Sequence, residues 1–117
     1  MEIQLMTDGG ADIPQFLIEN LGVEIVPLYL HFSDGEYQTG VTLDLADFHR
    51  NVKALDEVPL SSAPSPNDFY EAYKRIPASR AIIMLSVSGE LSSTYQNAVT
   101  AKDMLLQEEP SRKIAVL

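Results

Sequence analysis

Two hydroxyl-rich segments hold the residues whose types and spacing could do chemistry. One is Pro59-Leu60-Ser61-Ser62-Ala63-Pro64-Ser65-Pro66. The other is Ser86-Val87-Ser88-Gly89-Glu90-Leu91-Ser92-Ser93-Thr94-Tyr95. Hydroxyls beside the free N–H groups of a helix start suit a small anionic group such as a carboxylate, and they hold it without a cation. Ser61, Ser62, Ser92, Ser93 and Thr94 lie in these segments, and on residue type alone capping or turn formation is the commoner role for Ser61 and Ser92. For Ser65 capping is a full explanation, because Pro66 follows at the first helical position and Asp68 stands three residues on.

Two further sets of residues raise other chemistries. Asp8 and Asp12, in Thr7-Asp8-Gly9-Gly10-Ala11-Asp12, could hold a metal for phosphoryl chemistry, which makes a phosphoryl-handling enzyme the alternative reading. Two acids four apart, with no third nearby in sequence, leave a hard cation short of ligands, so no metal is expected. The glycines form no phosphate loop, since no Lys follows in the required place. A nucleophilic serine would need a base, and the chain has 2 histidines, His31 and His49. Neither lies in a recognisable triad motif, so both read as surface or packing residues and no catalytic residue is assigned.

The elements that must position these residues alternate between strand and helix. Glu2 to Thr7 reads as a strand, followed by a turn and a helix carrying Ile13, Phe16, Leu17 and Leu21, with Asp12 as cap and Gly22 as stop. Val23 to Phe32 reads as one extended strand with Pro27 at an edge or bend. Asp34-Gly35 signals a hairpin that returns through Tyr37. A helix from Asp44 presents Leu45, Phe48, Val52 and Leu55. Residues 59–66 form a loop, and a helix with Phe69, Ala72, Tyr73 and Ile76 inward follows it. Ala81 to Val87 is a buried strand, Leu91, Tyr95, Ala98 and Leu105 mark a last helix, and Lys113 to Leu117 begins one more strand. This order predicts a three-layer α/β/α domain with a mostly parallel sheet and a β-hairpin arm. Ligands of such sheets gather beyond the carboxyl ends of the strands, where both serine segments fall. An apolar strand at the very end is expected of a fragment of a longer protein.

Composition narrows the function classes. The 117 residues suit one domain, and a hydrophobic fraction of 45% suits a real core. There are no cysteines, which removes disulfides and thiolate metal sites. Eight Lys and Arg against 17 acids give a net charge of −9. Nucleic acids and anionic membrane surfaces are therefore poor partners. No apolar run reaches membrane-spanning length, and the start lacks the features of a signal peptide, so a cytoplasmic setting is expected.

The segments, taken in order, resemble the DegV family. Thr7-Asp8-Gly9-Gly10-Ala11-Asp12-Ile13-Pro14 is similar to its opening T-D-S-T-A-D-L-P motif. Ile25-Val26-Pro27-Leu28 and Tyr37 match a V-V-P-L strand and its return. Ser61 to Pro66 resembles a T-S-Q-P-S-P loop, followed by Phe69 and Tyr73, and Ser88 to Tyr95 resembles S-S-x-L-S-G-T-Y. The resemblance implies a carrier of long-chain fatty acids, not an enzyme, that presents its cargo to a fatty-acid kinase in some bacteria. It implies two α/β domains, with 1–117 the N-terminal one and the C-terminal one absent. It also implies that Ser61 and Ser92 contact the ligand carboxylate. Departures occur at Gly9-Gly10, Ser61, Ala63 and Ser93, where hydroxyls, threonine, glutamine and glycine are usual. Burying about fifteen methylenes would contribute on the order of 12 kcal/mol before ordering costs. A hydrogen bond adds about 1 kcal/mol, so the tunnel should dominate affinity and the serines should fix orientation.

Overall fold

The computed structural model describes residues 2–9, 13–38, 50, 52–54, 60–86 and 92–117. Strands β1 (Glu2–Asp8), β2 (Glu24–Val26), β6 (Arg80–Leu85) and β7 (Ile114–Val116) form a parallel sheet in the order β2-β1-β6-β7. Leu5 lies opposite Ile83, and Ile83 opposite Ala115, so the three strands expected to be parallel are so. Strands β3 (Tyr29–Phe32), β4 (Gly35–Gln38) and β5 (Leu60–Ser62) form a second, antiparallel sheet in the order β4-β3-β5.

Two expectations about strands need correction. The run from Val23 to Phe32 is not one strand. It breaks at Pro27-Leu28, and its halves join different sheets. Pro27 has no N–H to give a ladder, so the chain can change sheets there without abandoning a donor. Residues 59–66 are also not wholly loop, because Leu60–Ser62 is an edge strand pairing with β3.

Helix α2 (Pro66–Arg75) opens with a complete capping box. The Asp68 N–H donates to Ser65 Oγ at 3.1 Å, and the Ser65 N–H donates to Asp68 Oδ2 at 2.9 Å. Its inward residues are those expected: Phe69, Ala72, Tyr73 and, just past the end, Ile76. Helix α3 (Ser92–Glu108) turns Thr94, Ala98, Ala101 and Leu105 inward. Tyr95, expected in that stripe, is instead about half exposed. Thr94 sits four residues before Ala98 and takes the inward place, and the small Ala98 and Ala101 leave room for α2. There the Tyr73 phenol donates to the Ala98 carbonyl at 3.0 Å. Together with Met6, Val26, Ile82, Met84 and Ile114 these residues make the main core. Burial pushes the Tyr73 phenol far above the ordinary tyrosine range.

Helix α1 (Gln15–Leu21) follows Pro14, which stands at its N-cap. Asp12, its expected cap, lies outside the described residues. The helix ends where Gly22 adopts φ 63°, a left-handed value glycine tolerates, and the Gly22 N–H donates to the Ile18 carbonyl. The β1–α1–β2 crossover runs across the sheet opposite in direction to β6–α3–β7. The right-handed crossover rule therefore puts α1 on the other face, giving three layers. Unlike α2 and α3, α1 has no buried residue. Phe16, Leu17 and Leu21 are exposed, as are Ile3 and Leu85 of the sheet. Of the helix expected from Asp44, residues 50 and 52–54 are described and helical. Val52 and Tyr37 pack against Leu30 and Phe32 in a second small cluster.

Candidate functional site

The carboxyl end of the parallel sheet is the edge at which β1, β6 and the start of α3 meet. Asp8 and Thr7 end β1 and are buried, and the Thr7 hydroxyl donates to the Leu85 carbonyl at 2.9 Å, tying β1 to β6. After β6 the chain reaches Ser92, which opens α3. The Ser92 side chain is outside what the structure describes, as are residues 87–91. Ser93 is exposed in the first turn. Thr94 is fully buried, and its hydroxyl has no hydrogen-bond partner among the described residues.

The two helix starts differ. At α2 the N-terminal N–H groups are already engaged by Ser65 and Asp68, and the Asp68 carboxylate opposes any second anion. At α3 no acidic residue stands in the first turn. The positive end of the α3 dipole therefore meets no acidic side chain from its own first turn.

A side-chain bond ties the other serine segment to α3. Asn97 Nδ2 donates to the Pro64 carbonyl at 2.9 Å, and Pro64 is buried. This bond anchors the stretch following Ser61 and Ser62 to the second turn of α3. Within β5, alternation separates the two serines. Ser61 lies opposite Leu30 and is exposed on the face shared with Phe32, whereas Ser62 lies opposite Tyr29 on the face shared with His31. Ser62 Oγ is 3.1 Å from His31 Nε2, and His31 Nδ1 is 3.3 Å from Glu36 Oε2. Tyr29 donates to Asp68 Oδ2 at 3.0 Å, joining this sheet to the capped start of α2. Burial, then that bond, raises the Tyr29 phenol above its ordinary value.

His31 was dismissed on sequence grounds and is in fact paired, while Asn97 carried no signal at all. His49 and Asp12 lie outside the described residues. Among the described residues no three His, Asp or Glu come together as metal ligands. None of their helices is long and apolar enough to cross a membrane.

A family model described as an uncharacterised protein of the DegV family matches residues 2–117. The chain belongs to the DegV family. It is similar to a DegV domain-containing protein of Clostridium perfringens, 33% identical over 100% of this chain and 41% of that protein. It also resembles the structure of a fatty-acid-binding DegV family protein from Thermus thermophilus, with 35% identity and a TM-score of 0.71. That match covers 100% of this chain and 40% of the other. The fatty acid kinase B3 protein of Streptococcus pneumoniae, solved loaded with linoleic acid, is similar at 25% identity and a TM-score of 0.75, over 100% of this chain and 41% of that one. The DegV chain thus spans about two fifths of the length of the relatives it matches.

Proposed function

We propose that this DegV chain binds the head of a long-chain fatty acid as part of an acyl carrier, not an enzyme. The observation that carries the proposal is the likeness, over the whole chain and at 35% identity, to the Thermus thermophilus fatty-acid-binding protein. The site's chemistry supports it. The first turn of α3 carries no acidic side chain to oppose a carboxylate, and the Thr94 hydroxyl there has no partner among the described residues. The Asn97–Pro64 bond keeps the strand bearing Ser61 beside that helix. In this reading Ser61 and Ser92 donate to the carboxylate, with Ser62, Ser93 and Thr94 around it, and their hydroxyls stand roughly 4 to 6 Å apart across one small anion.

The reading extends to a second domain. Phe16, Leu17 and Leu21 of α1 are exposed, as are Ile3 and Leu85 of the parallel sheet. In a longer protein such apolar residues pack against another layer, and here that layer would be a C-terminal α/β domain that closes the acyl tunnel. A fatty-acid kinase is the partner that the Streptococcus pneumoniae relative makes most natural.

The test is mass spectrometry of lipids extracted from the full-length protein purified out of cells. Stoichiometric fatty acid of sixteen to eighteen or so carbons, the chain length that about fifteen buried methylenes implies, supports the proposal. Protein that carries no acyl chain, and takes none up when it is added, overturns it.

A further inference from the structure

The three side chains Ser62, His31 and Glu36 stand in a line on one face of the β4-β3-β5 sheet. His31 and Glu36 are directly opposed across β3 and β4, and Ser62 reaches His31 from β5. Their distances are 3.1 Å at Nε2 and 3.3 Å at Nδ1. The Glu36 carboxylate can only accept a hydrogen bond, so in the neutral imidazole the proton sits on Nδ1. Nε2 then carries the lone pair and accepts from the Ser62 hydroxyl. The single proton of Ser62 is thereby committed to His31, and Ser62 meets any nearby carboxylate as an acceptor facing an acceptor.

Protonating His31 reverses that bond. Nε2 becomes a donor to Ser62 Oγ, and the Ser62 proton is released to point at an anion. A positive charge also arrives on the strand pair that holds Ser61 and Ser62. We propose that the His31–Glu36 pair sets the donor direction of Ser62 and so makes fatty-acid head-group binding proton-linked, tighter as pH falls. The inference rests on the fatty-acid reading above and adds a binding determinant to it.

The surroundings of His31 are consistent with one dominant neighbour. From β4 it faces Glu36; from β5, the Ser62 hydroxyl and the uncharged Leu60; on its own strand, Tyr29, whose phenol is engaged by Asp68 of α2. Asp34 in the turn is engaged by the Tyr37 phenol. The His31 and Glu36 side chains are 41% and 58% exposed, so solvent protons reach the pair freely and screening keeps the coupling modest.

The experiment uses the full-length protein and a long-chain alkyl sulfonate, whose head stays anionic throughout, so that ligand protonation does not enter. Affinity is measured across the ordinary imidazole range, about pH 5 to 8. Wild-type protein should bind about fivefold tighter at the acid end, the low end of typical coupling. His31→Gln should flatten that slope, and Ser62→Ala should reduce it. By reciprocity, the NMR titration midpoint of His31 should move to higher pH when sulfonate is bound. A slope unchanged in His31→Gln, or a midpoint indifferent to ligand, overturns this inference alone. Absence of binding at every pH overturns it together with the carrier reading.

Discussion

Replacing Asn97 by alanine removes a side-chain bond that anchors the β5–α2 connection to α3. The bond is 2.9 Å long and ends on the carbonyl of a buried proline. Two terms follow from that geometry. The net worth of the hydrogen bond is about 1 kcal/mol, and a buried carbonyl left unpaired adds a similar penalty where water cannot replace the amide. Asn97 is itself half-buried, so water can partly enter and the sum should be about 1.5 kcal/mol. For a domain of this size that lowers the melting temperature by roughly 4–8 °C. The functional effect should exceed a plain stability loss. A loosened segment must be re-ordered whenever ligand binds, so fatty-acid affinity should fall by about three- to tenfold at a temperature where the variant is fully folded. Thermal denaturation of the ligand-free protein and a fluorescent fatty-acid displacement assay read the two effects separately. If the variant melts lower but binds normally, Asn97 is only a packing residue. If neither quantity changes, the bond is not what holds the two serine segments together.

Ser65→Ala should cost about 1 kcal/mol by removing the cap acceptor for the Asp68 N–H, while fatty-acid affinity at a permissive temperature stays unchanged; denaturant titration and the displacement assay check the pair. Gly22→Ala should destabilise by about 1 kcal/mol through backbone strain alone, because an added Cβ meets nothing within 4 Å at φ 63°; urea denaturation checks it. The raised Tyr73 phenol stabilises the fold fully below the ordinary tyrosine value of about 10, and that contribution is lost as pH climbs toward the folded value. Absorbance titration should therefore show Tyr73 ionising only together with alkaline unfolding, and Tyr73→Phe should remove that component.

The parts of the fold that sequence made legible are those with strong local signals. Phe69, Ala72, Tyr73 and Ile76 are spaced for one helix face, and Ser65-Pro66-Asn67-Asp68 carries its own capping chemistry, so α2 could be placed almost to the residue. The apolar run beginning at Ala81 was legible as a strand, but it is covered on one face and not on both, since Ile82 and Met84 are buried while Ala81 and Ile83 are half-buried and Leu85 is exposed. What escaped depended on pairings distant in sequence. Leu60–Ser62 has no strand signature of its own and becomes a strand because β3 offers a free edge. Pro27 was visible as a bend, but that it transfers the chain between two sheets was not.

The site shows the same division. The hydroxyl segments were visible because residue type announces them, whereas their arrangement was not. Had Asp34-Gly35 been the two-residue loop, His31 would face Gln38. The loop is instead Ser33-Asp34, Phe32 pairs with Gly35, and His31 therefore meets Glu36. A one-residue shift in a turn thus decides whether Ser62 has a proton relay behind it. The Asn97–Pro64 bond joins residues 33 apart in sequence, and nothing in the local composition could forecast it.

The central claim, that hydroxyls from the two segments hold the carboxylate of a long-chain fatty acid, is tested most directly by titration calorimetry of the full-length protein with palmitate. Ser61→Ala and Ser92→Ala should each weaken binding by about 1–3 kcal/mol with the melting temperature of the ligand-free protein unchanged. Both variants binding palmitate as tightly as wild type, while melting several degrees lower, would contradict the claim and make the two serines structural.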